Sequence, residues 1–427
     1  MSLQTIVYKL GEISQCIQGY NNLSKIISEK TNDDVKHIVV LSAIAGVTDN
    51  LVNFTDTKNM DFIKLVFVET NKLFENIFLN NKKEYNSDII YQKSYDIINC
   101  ILNNLNSLCE IYIKKSKFND IYMKSSVIGF GEIISTNLLY IYFLNSNIKS
   151  LLLNSYDYIF SKKEIYQFDS LSEFYAKKID FHQYNDYNIF ILQGFIASTP
   201  SGKTILLSRG GSDTTGSLLA NSHYANHYEI WTNIDGIYTG NPKKFKNAKI
   251  VNKIDYVVCQ ELSAMGAKVM YPLSIKPCAD LNIPIYIRDT FTMNIGTCIC
   301  NNYNQEELFY AIQQNQTMFK IKSLNMWNSY GFATDIFKEF SNKNIDIDIV
   351  TTSQFSITIT TAESDIYKLM EINDIFKEKY IVEMTNDCVI LSFIKKNIKK
   401  FITPIYKKMG HCNHLFFSKK LFALKNK

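Results

Sequence analysis

Between Ser208 and Ala220 the chain reads Ser-Arg-Gly-Gly-Ser-Asp-Thr-Thr-Gly-Ser-Leu-Leu-Ala, with an arginine, glycines, hydroxyls and a carboxylate set directly before an apolar, helix-like run. Such a string suits an anion. Glycine lets the backbone come close, a helix N-terminus offers unpaired N–H groups, and Arg209 can grip a planar carboxylate with two hydrogen bonds. Gly210, Ser212 and Asp213 share the string. A glycine-rich surface turn followed by a serine helix cap has the same local appearance. Lys9 follows the apolar run Ile6-Val7-Tyr8 and so stands at the C-terminal end of a first strand, the edge at which open α/β sheets bind ligands. A second strand, Ile38-Val39-Val40-Leu41, is β-branched enough for complete burial and ends in small and hydroxyl residues that include Ser42 and Thr48. The pattern Gly129-Phe130-Gly131-Glu132 reads as the opening of a helix running to about Phe143, with Glu132 in its first turn. There a glutamate is either a partner of the helix dipole or a ligand for substrate, and both readings stand. Strand Glu229-Ile230-Trp231 leads into a turn-rich loop from Thr232 and Asn233 through Tyr238 to Lys243, able to hold a nucleotide. Lys268, within Gly266-Ala267-Lys268-Val269, is a further cation.

These residues need a scaffold. A chain of 427 residues suggests two or three domains, and 46% hydrophobic with 20% charged residues describes a packed globular protein rather than a disordered one. The net charge of +5 comes from scattered lysines without a concentrated basic patch, so nucleic-acid binding is not expected. No run of eighteen apolar residues and no N-terminal signal pattern is visible, which argues against a membrane span or secretion and for the cytoplasm. The nine cysteines lack paired CxxC spacing, and Cys298 and Cys300 lie on one face of a strand, so buried free thiols are expected. The six histidines are dispersed and form no metal cage; metal ligands stay unassigned. Residues 61–144 carry helical periodicity, for example Ile98, Ile101, Leu105 and Leu108. Short strands at Leu151–Leu153, Tyr187–Gln193 and Ile283–Ile287 alternate with helices, which predicts an α/β fold with a mostly parallel sheet to about residue 300. Beyond Gln316 the pattern gives strand Phe319–Leu324, helix Gly331–Ser341, strands near Ile345–Thr351 and Phe355–Thr360, strand Val389–Phe393 and a helix-like Ile398–Met409.

Taken in order, Ser42–Thr48, Arg209–Asp213, Trp231–Pro242 and Gly266–Val269 resemble the motifs of the aspartate kinases over nearly the whole chain. Ser323-Leu324-Asn325-Met326 and Val350-Thr351-Thr352-Ser353 resemble effector-site strings of the lysine-sensitive, single-function type. The resemblance implies an amino-acid-kinase fold over 1–306, a mostly parallel sheet sandwiched by helices, then tandem α+β ACT-type regulatory modules over 307–427, the second abbreviated. It implies phosphoryl transfer from ATP with Mg²⁺ to L-aspartate, inhibition by L-lysine and a homodimer formed through the ACT modules. On the matching positions, Lys9 would contact the transferring phosphoryl group beside Gly11, and Asp213 would organise the lysine and amine side. Ser42, Thr48, Glu132, Arg209, Gly210 and Ser212 would bind aspartate, with Glu132 on its amine and Arg209 on a carboxylate. Nucleotide would fall to Lys9, Gly11, Thr232, Asn233, Tyr238, Lys243 and Lys268. The effector pocket would draw on Met326, Ser329, Gly331, Phe332, Ala333, Ile347, Asp348 and Thr352, with Asp348 on an ammonium group.

The chain departs from the family at its first loop. Where members carry Lys-Phe-Gly-Gly-Thr-Ser, this sequence has Lys9-Leu10-Gly11-Glu12-Ile13-Ser14. Two unit charges about 4 Å apart repel by about 4 kcal/mol at an effective dielectric of 20, so a carboxylate beside a triphosphate slows the reaction unless it turns outward or toward the metal ion. A weakened homologue retained for lysine or partner binding is the alternative this raises. Milder departures are Asn233 for aspartate, Lys243 for arginine and Tyr271 for histidine.

Overall fold

The computed structural model describes residues 3–31, 34–79, 87–114, 120–164, 174–208, 210–267, 270–301, 307–323 and 331–394, together with the backbone of 415–417 and 422–424. Two compact units emerge. One comprises Met1–Ile237, Ile250–Gln260 and Val269–Tyr303, and the other Tyr238–Lys249, Glu261–Lys268 and Asn304–Lys427.

The first unit begins with β1 (Gln4–Leu10), α1 (Ile17–Lys30) and β2 (Val35–Leu41), then four helices, α2 (Val47–Thr57), α3 (Asp61–Leu79), α4 (Ser87–Lys114) and α5 (Ile121–Asn145). Six short strands follow: β3 (Leu151–Leu152), β4 (Ile159–Ser161), β5 (Phe174–Ala176), β6 (Ile189–Gln193), β7 (Ile196–Ser198) and β8 (Thr204–Leu206). α6 (Gly211–Ser222), β9 (His227–Thr232), β10 (Lys253–Asp255), β11 (Ile285–Asp289) and β12 (Ile295–Cys300) complete it. Eight strands form the main sheet in the order β10-β12-β11-β9-β1-β2-β6-β3, and β5-β4-β7-β8 form a second. β1 is parallel to β2 on one side and to β9 on the other, with Leu10 level with both Leu41 and Trp231. The chain therefore leaves β1 for one neighbour and returns much later as the other, which opens a crevice at the carboxyl ends of these strands.

Every residue of β2 is buried, Lys36 and His37 included, as expected of a strand covered on both faces. Leu23 and Ile27 of α1 pack into the same core as Val39, Leu51, Phe54 and Leu138. α5 is, among the described residues, the one helix long and apolar enough to cross a membrane, and here it is a core helix. Its start corrects the reading of the sequence. The helix begins at Ile121, capped by Asp120, whose carboxylate accepts from the N–H groups of Tyr122 and Met123. Gly129 and Gly131 mark close packing instead: a Cβ on Gly131 would lie 2.8 Å from that of Ala43, and one on Gly129 3.2 Å from Ile196. Glu132 is thus a mid-helix residue, out of reach of the N-terminal dipole.

The second unit carries β13 (Phe309–Lys322), α7 (Phe332–Asn342), β14 (Ile349–Thr352), β15 (Ser356–Thr361), α8 (Ile366–Lys377) and β16 (Ile381–Ile394). The sheet order is β14-β15-β13-β16, all antiparallel, in βαββαβ connectivity. Phe319, Ile321, Ile336, Phe340, Ile359 and Phe376 fill its core. α8 was not anticipated from the sequence, although Asp365 caps it and Leu369, Ile372 and Phe376 supply a buried stripe. The helix expected at Ile398–Met409 lies outside the described residues. Every described cysteine is free; Cys109, Cys259, Cys278 and Cys388 are buried, whereas Cys100 is exposed, contrary to expectation.

A charged cluster holds the middle of the main sheet. Glu229 of β9, 1% exposed as a side chain, receives Arg288 at 2.8 Å, Lys30 at 2.8 Å and His227 at 3.1 Å. The Trp231 indole also donates to it at 3.2 Å. Burial alone would raise the carboxyl, but hydrogen bonds from His227 and Arg288 and the charges of Arg288 and Lys30 outweigh it and hold Glu229 well below the ordinary range. Stabilisation of this kind is complete above the unfolded value and is lost as pH falls toward the folded one. Replacing Glu229 with Gln should cost about 3–5 kcal/mol at neutral pH by stranding Arg288, with the deficit shrinking in acid. Urea unfolding with an unchanged midpoint at pH 7 would contradict this.

Candidate active site

At the carboxyl ends of β1, β2 and β9 the first unit encloses a cavity of about 580 Å³. Its wall comes from distant parts of the chain: Lys9 near the end of β1, Gly11 to Ser14 after it, Ser42 after β2, Thr48 and Asp49 at the start of α2, Glu132 from α5, and Gly210 to Asp213 at the start of α6. Phe195, Thr232 and Asn233 complete it.

Lys9 sits one residue from the end of β1 and reaches Asp213, in the first turn of α6, at 2.7 Å. The pair is close but not aligned as a hydrogen bond. Past Lys9 the chain must turn against β9. Gly11 makes this possible, since its N–H donates to the Trp231 carbonyl at 3.0 Å and a Cβ there would lie 3.2 Å from the same oxygen. One turn of 3-10 helix, Glu12–Ser14, follows. Ser14 is buried and anchors it, donating to the Trp231 carbonyl at 3.1 Å and lying 2.6 Å from the Thr290 hydroxyl.

Two helices begin at the cavity, and both start on a left-handed glycine with no side-chain cap: Gly46 (φ 78°) before α2 and Gly210 (φ 73°) before α6. A Cβ on Gly210 would lie 2.3 Å from that of Tyr271, so no other residue fits. Uncapped first turns leave N–H groups and the positive end of the dipole for an anion.

Glu132 has the opposite preference. It is 3% exposed; Oε1 accepts from the Ala43 N–H at 3.2 Å, and Oε2 is buried without a hydrogen-bond partner. Burial pushes the carboxyl up to about 8, with Glu12 adding to the rise and the Ala43 N–H and Lys9 opposing it. Near neutral pH it is protonated until a cation arrives. The cavity therefore combines anion-binding helix starts and a lysine with a buried carboxyl that wants a cationic partner.

Ten of the anticipated residues meet in this one cavity: Lys9, Gly11, Ser42, Thr48, Glu132, Gly210, Ser212, Asp213, Thr232 and Asn233. Arg209 and Lys268 lie outside the described residues, as do Met326 and Ser329. Tyr238 and Lys243 belong to the second unit, in its Tyr238–Lys249 segment. Within that unit Gly331 caps α7, and Phe332 is core, its ring 4.9 Å from that of Tyr380. Ala333 is exposed, Ile347 packs on the core, the Asp348 N–H donates to Thr360 at 2.8 Å, and Thr352 ends β14 exposed. Sequence reading missed Ser14, Asp49, Phe195 and Gly211 as cavity residues. Ser14 and Asp49 adjoin recognised strings, whereas Phe195, at φ 65°, has no local signal.

A mostly parallel sheet with a lysine at a central strand end and two glycine-capped helix starts beside it defines an α/β protein with a site suited to small anions. Residues 4–289 match the amino acid kinase family, and the chain belongs to that family. It is similar to the bifunctional aspartokinase/homoserine dehydrogenase of Buchnera aphidicola, at 30% identity over 412 residues, 92% of this chain and 49% of that protein. It is also similar to the lysine-sensitive aspartokinase 3 of Escherichia coli, at 37% identity over 175 residues, 40% of this chain and 39% of that one. The chain spans about half the length, or less, of these curated relatives. Among solved structures, E. coli aspartokinase III in complex with aspartate and ADP superimposes with a TM-score of 0.78 at 23% identity, covering 99% of this chain and 96% of that one. This likeness shows the fold.

The buried carboxyl carries a stability signature opposite to that of Glu229. Folded Glu132 keeps its proton to about pH 8, whereas an unfolded glutamate loses it near 4.5, so stability falls as pH rises between these values. The loss approaches about 1.4 kcal/mol per pH unit over that window. Glu132→Gln should therefore be more stable than the parent at pH 8 and equal to it near pH 4.5. Denaturation midpoints that differ by the same amount at both pH values would refute the assignment.

Proposed function

We propose that this chain is an aspartate kinase that transfers the γ-phosphoryl group of ATP to the β-carboxylate of L-aspartate, giving 4-phospho-L-aspartate and ADP, the first step of the lysine, threonine and methionine pathway. The observation that carries the reading is the partnerless Oε2 of Glu132 in the same cavity as Lys9 and the α6 N-terminus. An amino-dicarboxylate offers what that arrangement lacks: an ammonium for Glu132 and carboxylates for the helix starts. The names of the relatives support it, since the similar proteins are aspartokinases and one solved structure was obtained with aspartate and ADP.

A carboxylate is already ionised at neutral pH, so the nucleophile needs no general base. The protein has to bring two anions together and offset their repulsion. Lys9 is placed for that task, and Asp213 holds it at the mouth of β1 until substrate takes over. Ser42, Thr48 and Ser212 offer hydroxyls around the aspartate, Gly210 sets the start of α6, and Arg209 grips a carboxylate. Gly11, Thr232 and Asn233 hold the nucleotide side. ATP supplies the phosphoryl group, accompanied by Mg²⁺. No group of three or more His, Cys, Asp or Glu side chains placed to hold a metal ion occurs among the described residues.

The βαββαβ unit supports regulation by ACT-type modules that bind L-lysine and pair two chains into a homodimer; the cytoplasm is the compartment proposed for it. Asp348, exposed beside β14, would take the lysine ammonium. One structure of E. coli aspartokinase III was obtained with lysine and aspartate.

Purified protein given MgATP and L-aspartate should release ADP and form an acyl phosphate that hydroxylamine traps, and millimolar L-lysine should slow both. Lys9→Met should lower kcat by roughly 100-fold or more with a small change in aspartate KM. Arg209→Ala should raise aspartate KM and leave nucleotide binding near normal. Folded protein without turnover would favour the weakened homologue kept for lysine or partner binding.

A further inference from the structure

We propose that Tyr228 is a positioning residue for the reaction: its hydroxyl, passing through a gap left by Gly216, fastens the first turn of α6 to β9 and so holds Asp213 in place against Lys9. The inference rests on reading the cavity as a phosphoryl-transfer site. It adds a residue that lies outside the cavity wall.

Tyr228 is the second residue of β9 and is fully buried. It is level with Val7 of β1, two residues before Lys9, so Tyr228 and Lys9 project to the same face of the sheet. α6 packs on that face, since Lys9 reaches the Asp213 carboxylate at 2.7 Å and the Tyr228 hydroxyl donates to the Asp213 backbone carbonyl at 3.1 Å. One residue is thus held twice, its side chain by β1 and its main chain by β9. A carbonyl oxygen has two lone pairs, so the bond from Tyr228 adds to the intrahelical one rather than replacing it. Gly216 makes the approach possible. A Cβ at that position would lie 2.4 Å from the Tyr228 hydroxyl oxygen and 2.6 Å from Cζ. Glycine inside a helix is unfavourable by itself, and the tyrosine accounts for a buried one in the middle of α6. Burial, and then the neighbouring Asp213 carboxylate, raise the phenol well above its usual range, so the hydroxyl keeps its proton and stays a donor. Lys9 and Asp213 are close without being aligned as a hydrogen bond, so the placing of Asp213 comes from its main chain, where Tyr228 holds it.

Tyr228→Phe removes one oxygen and keeps the ring, so the fold is retained. Steady-state kinetics on the full chain should show kcat reduced roughly three- to tenfold, the span of one neutral hydrogen bond, with the MgATP KM within about twofold of the parent. Made in an Asp213→Asn background, the same substitution should change kcat less than about twofold, because the residue through which Tyr228 acts has then lost its charge. Hydrogen exchange read by mass spectrometry should be faster at the start of α6 in Tyr228→Phe and unchanged in β1. Equal kcat in parent and Tyr228→Phe overturns the inference, whatever the exchange shows. So does a loss of the same size in both backgrounds, which would make Tyr228 a structural residue only. A parent without turnover counts against the aspartate kinase reading instead, and the exchange rates then decide: a faster α6 start supports the fastening, and an unaltered one overturns it.

Discussion

The level ending of β1, β2 and β9 is the constraint on which the rest of the first unit depends. Because Leu10, Leu41 and Trp231 share a register, the residues that follow them are delivered to one rim, and Gly11 locks the first to the third through the Trp231 carbonyl. Two further helices can start at that rim only on left-handed glycines. α5 must then pass closely enough behind them for Gly131 to touch Ala43, which brings Glu132 into the cavity wall. Lys9, Glu132 and Asp213 are far apart in sequence, yet this geometry leaves them little freedom to be elsewhere.

Two buried glutamates show how the unit divides stability from function. Glu229 is surrounded by Arg288, Lys30, His227 and Trp231, so its charge is satisfied in the folded state and ties β9 to its neighbours. Glu132 keeps one oxygen without a partner, and burial makes it hold its proton. An unfilled carboxyl is destabilising by itself, and its free energy is recovered when a cationic ligand arrives. The contrast follows from surroundings alone, since both residues are glutamates on regular elements of the same core.

Much of this was legible in the sequence where local chemistry is strong. Short apolar runs marked β1, β2 and β9 with Lys9 near the end of the first, and the glycine and hydroxyl strings that follow them or open α6 marked Ser42, Thr48, Ser212, Asp213 and Thr232. Failures have physical causes. Gly129 and Gly131 look like punctuation but exist for interhelical contact, while the true cap, Asp120, precedes the apolar run by several residues. α8 was passed over although its stripe of Leu369, Ile372 and Phe376 was present. Phe195 could not have been found, because its left-handed backbone is imposed by the junction of β6 and β7. The grouping of Tyr238–Lys249 with the C-terminal unit is likewise a property of tertiary contacts, which no local pattern encodes.

The central claim is that Glu132 is a neutral acid in the free protein and becomes a carboxylate when an ammonium group binds. Infrared difference spectroscopy at pH 7, with Glu132→Gln subtracted to isolate this one side chain, observes that directly. The account predicts a protonated-carboxyl band in the free protein that disappears on addition of L-aspartate, replaced by carboxylate absorption. A carboxylate signal already present in the free protein, or an acid band that survives saturation with L-aspartate, would contradict it.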